Sequence, residues 1–203
     1  MKRIKICGLT RPEDILYVNE AKPDYIGFVF AENRRRTLTR DKAFELKKLL
    51  FNDIKAVGVF LNNDVDYVIS LVRDGIIDIV QLHGDEDEKY IHYLRAHIKA
   101  PIIKAVRALS TERILEAEKM DVDYLLIDTY EKGVAGGTGK VFDWRIIPKL
   151  RKPYFLAGGL DPDNIREAMK TNAFALDMSS GVETDGIKDR EKILRTVKTV
   201  RGE

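Results

Sequence analysis

Cysteine is almost missing from the 203-residue chain, which contains only Cys7 and therefore no intrachain disulfide. A lone cysteine is typical of a reducing compartment, so we expect a cytoplasmic protein. No stretch approaches the roughly 20 consecutive apolar residues that a membrane span needs, and the start of the chain does not read as a secretory signal. The formal net charge of +2 is too small to indicate nucleic acid or an anionic membrane as a partner.

Motifs for metal and nucleotide binding are missing as well. No cluster of His, Cys, Asp and Glu has metal-ligand spacing, and neither a G-x-G-x-x-G motif nor a phosphate-loop lysine motif occurs. Two of the three histidines, His92 and His97, lie in a predicted helix, where we expect them on the surface. We therefore expect neither a metal nor a cofactor.

What the sequence does contain is a regular alternation of short apolar runs and longer segments with helical periodicity. The predicted strands are Lys2–Cys7, Tyr25–Phe30, Ile54–Phe60, Ile77–Leu82, Ile102–Val106, Tyr124–Asp128, Tyr154–Ala157 and Ala173–Asp177. The predicted helices are Glu13–Ala21, Arg40–Leu50, Val65–Asp74, Asp87–His97, Thr111–Lys119, Trp144–Leu150, Pro162–Met169 and Arg190–Arg201. This α/β pattern predicts a (β/α)8 TIM barrel that forms a single domain over residues 1–203, with an open doubly wound sheet as the alternative.

The ends of the last two predicted strands carry residues suited to binding an anion. Gly158 and Gly159 follow the seventh strand, and Ser179, Ser180 and Gly181 follow the eighth. Glycines allow backbone amides to approach an anion closely, and the loops after strands seven and eight of such a barrel commonly bind phosphate. These residues therefore predict a phosphate site, although the glycines alone are also compatible with simple tight turns.

The first strand places Lys5 and Cys7 on the same face, because side chains alternate along a strand. The opposite face carries isoleucines that suit packing against helices, so Lys5 should point into the barrel. A buried lysine needs an anionic partner, and we predict a pair with Asp177 on the adjoining eighth strand. Cys7 should reach the catalytic rim, where a nearby cation would favour the thiolate. The alternative is that Cys7 is a small buried hydrophobic residue.

Three further strand ends carry polar candidates. Asp128 ends an otherwise apolar strand and would be a general acid if its surroundings raised its pKa, or else a cap for the following turn. The run Arg34–Arg36 is either a solvated surface or a second anion site, and the residues alone leave open which arginine would turn inward. His83 either contacts a substrate or completes the turn after the fourth strand.

The motifs at the strand ends, in order and over essentially the whole chain, resemble those of phosphoribosylanthranilate isomerases. The opening and closing motifs are the most specific in combination. The matching segments are Lys5-Ile-Cys-Gly-Leu-Thr10, Gly27-Phe-Val-Phe30, Val57-Gly-Val-Phe60, Gln81-Leu-His-Gly84, Gly136-Gly-Thr-Gly139, Phe142-Asp-Trp144, Ala157-Gly-Gly159 and Asp177-Met-Ser-Ser-Gly-Val-Glu183.

The resemblance implies a cofactor-free Amadori rearrangement of N-(5-phosphoribosyl)anthranilate to 1-(o-carboxyphenylamino)-1-deoxyribulose 5-phosphate in tryptophan biosynthesis. The general base of the family falls on Cys7 and its general acid on Asp128. The arginine that meets the anthranilate carboxylate falls on Arg36. The glycine loop Gly136–Gly139, with Gly136 and Gly137 as its substrate contacts, is similar to the mobile loop that covers the substrate in this family.

The same resemblance places the phosphate loops of the family on Gly158, Gly159 and residues 179–181. We expect a small phosphoribosyl substrate as the partner of a monomer or homodimer. One alternative is a sibling barrel isomerase of another phosphoribosyl metabolite, such as that of histidine synthesis, but that enzyme uses a pair of aspartates where this chain has Cys7. The other alternative is a barrel that binds a phosphate ligand without catalysis.

Overall fold

The computed structural model describes residues 2–32, 34–128 and 144–203. Eight parallel strands form a closed barrel in chain order, and the eighth is hydrogen-bonded to the first. The predicted (β/α)8 barrel is thus confirmed, and the open doubly wound sheet is wrong. The barrel strands are β1 (Arg3–Cys7), β2 (Tyr25–Val29), β3 (Lys55–Phe60), β4 (Ile79–Leu82), β5 (Ile102–Arg107), β6 (Tyr124–Asp128), β7 (Tyr154–Ala157) and β8 (Ala175–Met178).

The helices surround the barrel, and polar side chains begin most of them. A Thr, Ser or Asp at the N-cap accepts hydrogen bonds from the first-turn amides of α2, α3, α4, α5 and α7, which otherwise lack partners. None of the helices in the described ranges is long and apolar enough to cross a membrane. The α-helices are α1 (Pro12–Ala21), α2 (Arg40–Leu49), α3 (Val65–Arg73), α4 (Glu88–His97), α5 (Thr111–Glu118), α6 (Ile165–Ala168) and α7 (Arg190–Arg201).

The predicted helix Trp144–Leu150 is wrong. The structure has only a single 3-10 turn there, Trp144–Ile146. Pro148 explains the difference, because proline has no backbone N–H to donate and disfavours helical geometry at the preceding residue.

The predicted helix Pro162–Met169 is shorter in the structure, where α6 covers Ile165–Ala168. The Asp161 carboxylate accepts hydrogen bonds from the backbone amides of Asp163 and Asn164. This side-chain turn takes the place of the first helical turn, because Asp and Asn compete locally for backbone hydrogen bonds. The segment between β7 and α6 is therefore a hydrogen-bonded loop and not a helical turn.

The barrel interior is closed at the amino-terminal ends of its strands. Tyr25 and Phe155 make an edge contact there, with ring centroids 5.4 Å apart. The Arg3 guanidinium lies 4.6 Å from the centroid of the Phe174 ring and donates a hydrogen bond to the Tyr25 hydroxyl. Because this end is filled by packed aromatic side chains, the carboxyl ends of the strands are the end at which a ligand can enter.

A short hairpin extends from the barrel after β8. Its strands β9 (Glu183–Thr184) and β10 (Ile187–Lys188) pair antiparallel, following a 3-10 turn at Ser180–Val182. The two residues between the strands, Asp185 and Gly186, both have positive φ, as a two-residue hairpin turn of the type I′ geometry requires. The hairpin brings Glu183 and Lys188 back over the carboxyl end of β1.

Candidate active site at the carboxyl ends of the strands

Cys7 is the last residue of β1 and is 9% exposed. It pairs with Gly27 on β2 in the strand register. A Cβ atom at Gly27 would lie 2.6 Å from the Cys7 Sγ, closer than real carbon and sulfur atoms approach. The thiol therefore occupies space that any other residue at position 27 would fill.

The surroundings of Cys7 favour the thiol over the thiolate. Burial raises the pKa of Cys7, while the positive charges of Lys5 and Lys188 lower it and the negative charge of Asp177 raises it further. The net direction is upward. The neighbouring cations do favour the thiolate, as expected, but the desolvation of the thiolate outweighs its attraction to the lysines.

Lys5 and Asp177 form the predicted pair inside the barrel. The Lys5 Nζ lies 2.8 Å from Asp177 Oδ2, and the Lys5 side chain is fully buried. Burial raises the pKa of Asp177, although the positive charge of Lys5 opposes this effect. Burial alone would lower the pKa of Lys5, but its contacts with Asp177 and Cys7 keep that pKa above its usual value. The predicted pairing is confirmed.

Asp128 ends β6 and faces His83, which follows β4. The distance between His83 Nε2 and Asp128 Oδ2 is 3.5 Å, and both side chains are partly exposed to the interior of the site. The amide of Gln81, at 3.1 Å, contacts the other ring nitrogen of His83. Gln81 was not among our sequence candidates, because it reaches Lys5 across the barrel from a strand that does not adjoin β1.

The predicted phosphate residues lie in two loops that touch. Gly158 and Gly159 follow β7 with φ of 97° and 65°. Gly181 belongs to the turn after β8, and a Cβ atom there would lie 1.9 Å from the Leu160 carbonyl oxygen. Ser179 donates a hydrogen bond from its hydroxyl to the Cys7 carbonyl oxygen at 3.3 Å, which joins this loop to the end of β1. The two loops and Cys7 therefore share one rim of the barrel, together with Ser180.

Arg36 lies over the loop after β1 and is held there by Glu183. Its Nε donates to Glu183 Oε1 at 2.7 Å, and its Nη2 donates to Oε2 at 2.6 Å. A Cβ atom on Gly8 would lie 2.4 Å from the Arg36 Cδ, so only glycine at position 8 leaves room for this arrangement. The Nε and Nη2 edge of the guanidinium therefore faces Glu183, and no residue of the described part of the chain accepts a hydrogen bond from Nη1.

Glu183 gathers three cations, and we call Arg35, Arg36, Lys188 and Glu183 the Glu183 cluster. The carboxylate accepts from Arg35 Nη2 at 2.5 Å and from Lys188 Nζ at 2.7 Å, in addition to Arg36. Burial alone would raise the pKa of Glu183, but the hydrogen bonds from Arg36 and Lys188 bring it down to about 2. Glu183 is thus an anion at all ordinary pH values.

The sequence analysis missed Lys188 and named Glu183 only as the end of a motif, without a role. Lys188 is 5% exposed and donates to the Ser179 carbonyl oxygen at 2.9 Å as well as to Glu183. Burial lowers the pKa of Lys188, and its contact with Glu183 opposes that shift. The signal that would have found it is the Asp185-Gly186 dipeptide, which predicts a hairpin that returns Lys188 to the rim.

Two predicted substrate contacts, Gly136 and Gly137, lie outside the described residues. Among residues 2–32, 34–128 and 144–203, no group of three or more His, Cys, Asp and Glu side chains is arranged to hold a metal ion.

Comparison with known proteins matches nearly the whole chain to one family. The family model described as N-(5'-phosphoribosyl)anthranilate (PRA) isomerase matches residues 4–199. The N-(5'-phosphoribosyl)anthranilate isomerase of Endomicrobium trichonymphae is 50% identical over 202 residues, covering 99% of each chain.

Solved structures of the same family superpose on the chain over its full length. The phosphoribosyl anthranilate isomerase of Thermotoga maritima superposes with a TM-score of 0.90 at 33% identity over 100% of both chains. Another phosphoribosyl anthranilate isomerase, solved in complex with reduced 1-(o-carboxyphenylamino)-1-deoxyribulose 5-phosphate, gives a TM-score of 0.83 at 30% identity, again over 100% of both chains. The chain therefore belongs to the N-(5'-phosphoribosyl)anthranilate isomerase family.

Proposed function

We propose that this chain catalyses the isomerisation for which its family is named, with Cys7 as general base and Asp128 as general acid. The observation that carries the proposal is that Cys7 and Asp128 end β1 and β6 at the same open end of the barrel. The substrate is N-(5-phosphoribosyl)anthranilate, and the reaction serves tryptophan biosynthesis.

The first step opens the ribose ring. Asp128 gives its proton to the ring oxygen, the bond between that oxygen and C1 breaks, and the nitrogen lone pair forms a C1=N Schiff base. Asp128 is left as a carboxylate. A positioned carboxylic acid suits this step, because the ring oxygen is a poor leaving group unless it is protonated.

The second step removes the proton from C2. Cys7 takes this proton as its thiolate, the minor form in the free protein because burial raises the pKa of Cys7. The electron pair of the C–H bond forms a C1=C2 double bond while the positive charge on nitrogen disappears. The resulting enol then gives its hydroxyl proton to the Asp128 carboxylate and takes a proton at C1 from the Cys7 thiol, which gives the ketone product and returns both residues to their starting protonation states. No oxidant or reductant is needed, because the aldose carbon is reduced as its neighbour is oxidised.

The two anionic ends of the substrate would be held on opposite sides of these residues. The phosphate would bind at Gly158, Gly159 and residues 179–181, and the anthranilate carboxylate would bind at the outer edge of the Arg36 guanidinium. Gly136 and Gly137 would contribute a covering loop. Anchoring both ends keeps C1 and C2 between acid and base, which is worth several orders of magnitude in rate.

The proposal includes the remaining expectations from the sequence. We propose a cytoplasmic protein, a single domain over residues 1–203, and a monomer or homodimer with a small phosphoribosyl ligand as its partner. The match of the family model to residues 4–199 supports the single domain.

Product identification tests the proposed activity. Freshly generated N-(5-phosphoribosyl)anthranilate is incubated with the purified protein. The products are separated by chromatography, and their masses are measured by mass spectrometry. We expect a product that has the mass of the substrate, elutes separately from it and survives mild acid, which hydrolyses the N-glycosidic substrate to anthranilate. Formation of free anthranilate and ribose phosphate at the uncatalysed rate, with no product of unchanged mass, would contradict the proposal.

We expect Asp128→Asn to lower kcat by about 10³-fold with a small change in KM, because an amide cannot deliver a proton to the ring oxygen. The variant is isosteric, so the barrel should keep its stability. Initial rates at saturating substrate measure the effect. Asp121→Asn, at a side chain 80% exposed, is the matched control and should react like the parent. An Asp128→Asn variant as fast as the parent would remove Asp128 from the mechanism.

We expect Glu183→Gln to raise KM about tenfold, equivalent to about 1.4 kcal/mol of binding free energy, with little change in kcat. Glutamine can accept from Arg36 through only one oxygen, so the guanidinium would lose its fixed orientation towards the substrate carboxylate. Steady-state kinetics separates the two constants. Glu45→Gln on the exposed face of α2 is the control. A loss confined to kcat would show that Glu183 does not act through substrate binding.

A further inference from the structure

A row of polar side chains crosses the barrel interior from β8 to β6 and is buried at the end formed by Asp177, Lys5 and Gln81. Asp177 Oδ2 accepts from Lys5 Nζ at 2.8 Å, and Gln81 Oε1 accepts from the same Nζ at 2.9 Å. Gln81 Nε2 then lies 3.1 Å from His83 Nδ1, and His83 Nε2 lies 3.5 Å from Asp128 Oδ2. Lys5 is fully buried and Gln81 is 1% exposed, so these partners have no access to bulk water.

The donors and acceptors in this row of side chains permit only one arrangement of its hydrogen bonds. A lysine ammonium can only donate, so the atom of Gln81 that faces Lys5 must be the carbonyl oxygen. The amide nitrogen of Gln81 then faces His83 Nδ1, and an amide nitrogen also can only donate. His83 Nδ1 must therefore be the acceptor, and in a neutral imidazole the proton then resides on the other nitrogen, Nε2.

We propose that Gln81 and His83 are positioning residues that keep a proton on His83 Nε2 and so present an N–H to the Asp128 carboxyl group. The proposal deepens the proposed function, because it rests on Asp128 as the general acid. Its physical origin is the ammonium of Lys5, which fixes the Gln81 amide and, through it, the tautomer of His83.

This tautomer has two consequences for Asp128. A nitrogen that carries a proton has no lone pair in the ring plane, so His83 Nε2 cannot take the acidic proton away from Asp128 before the substrate does. Once Asp128 has given its proton to the ring oxygen, the N–H of His83 is aimed at the new carboxylate and stabilises it. The opposite tautomer would compete for the proton and repel the carboxylate.

The tautomer can be read directly from the ¹⁵N NMR spectrum of the full chain labelled at histidine, at a pH where the ring is neutral. We expect Nδ1 of His83 to have the shift of an unprotonated ring nitrogen and Nε2 that of a protonated one. His83→Asn identifies the signals among the three histidines. The reverse tautomer at His83 would overturn the proposal, whether or not the chain turns over the proposed substrate.

Gln81→Glu tests the role of Gln81 in the same spectrum. The glutamate can accept from Lys5 with one oxygen and from His83 Nδ1 with the other, so we expect the proton to move to Nδ1. A His83 spectrum that is unchanged in folded Gln81→Glu would overturn the role given to Gln81. If this variant did not fold, the spectrum of the parent would still decide the tautomer.

Two substitutions of His83 test the N–H itself. In His83→Gln the amide nitrogen reaches the position of Nε2, whereas in His83→Asn it reaches only the position of Nδ1. We expect His83→Gln to retain kcat within about threefold and His83→Asn to lose about tenfold or more, with little change in KM in either. His92→Asn on the exposed face of α4 is the control. Equal losses in the two His83 variants would contradict a role for the N–H.

Discussion

Cys7→Ala is expected to lose on the order of 10³-fold or more in kcat while keeping the fold of the parent. The substitution removes the group proposed to take the C2 proton, and no other side chain that ends β1 can replace it. Stability should change little, because alanine fills most of the small site between β1 and Gly27. Initial rates at saturating substrate, together with thermal unfolding, measure both quantities.

Cys7→Ser is the matched control for this prediction. A serine hydroxyl has nearly the shape of the thiol but is far less acidic, so we expect it to be almost as slow as alanine. A serine variant with near-parent kcat would show that a hydrogen-bonding group, and not a thiolate base, is what the reaction needs at position 7.

The pH at which Cys7 ionises provides an independent check. Because burial raises the pKa of Cys7, the thiol form should persist above the ordinary thiol pKa of about 8.5. In protein labelled with ¹³C at its single cysteine, we expect the Cβ shift to stay constant through neutral pH and to change only in the alkaline range. A transition below pH 7 would mean that the lysines outweigh the desolvation.

The second large effect is expected at the buried pair. Asp177→Asn should lower the free energy of unfolding by about 3 kcal/mol or more, because it leaves the Lys5 ammonium inside the barrel without a counter-charge. Chemical denaturation measures the change. Asp121→Asn, at a surface position, should leave the free energy of unfolding close to that of the parent. Equal stability of Asp177→Asn and the parent would show that the pair does not stabilise the fold.

The double variant Lys5→Met with Asp177→Asn separates the cost of an unpaired charge from the loss of packing. Methionine keeps the length of the lysine side chain without its charge. Since an apolar replacement of a buried pair often restores stability, we expect the double variant to be more stable than Asp177→Asn alone. A double variant whose free energy of unfolding falls by the sum of the losses in the two single variants would indicate that packing, not charge, governs the stability of this site.

Local sequence patterns were sufficient to predict the barrel strands and the ion pair between Lys5 and Asp177. Strand-like apolar runs alternate with helical patterns, and the eight repeats predicted a closed barrel, in which β8 lies beside β1. From that neighbour relation and the two-residue period of a strand, the contact between Lys5 and Asp177 followed. The helix predicted at Trp144–Leu150 is wrong, because its apolar residues have helical spacing but Pro148 disfavours helical geometry there.

Contacts across the barrel interior and contacts made by the hairpin could not be predicted from the sequence pattern. Gln81 meets Lys5 through the interior, and strand order alone does not say which non-adjacent side chains reach each other. Lys188 returns to the rim only because β9 and β10 pair. The net direction of the Cys7 pKa also depends on the balance between burial and two lysines, which requires coordinates.

The most direct test of the central claim is the rate at which the parent chain converts freshly generated N-(5-phosphoribosyl)anthranilate, followed through the loss of its anthranilate-type fluorescence, beside Cys7→Ala in the same substrate preparation. The account predicts rapid conversion by the parent and almost none by the variant. A well-folded parent that converts the substrate no faster than Cys7→Ala would contradict it.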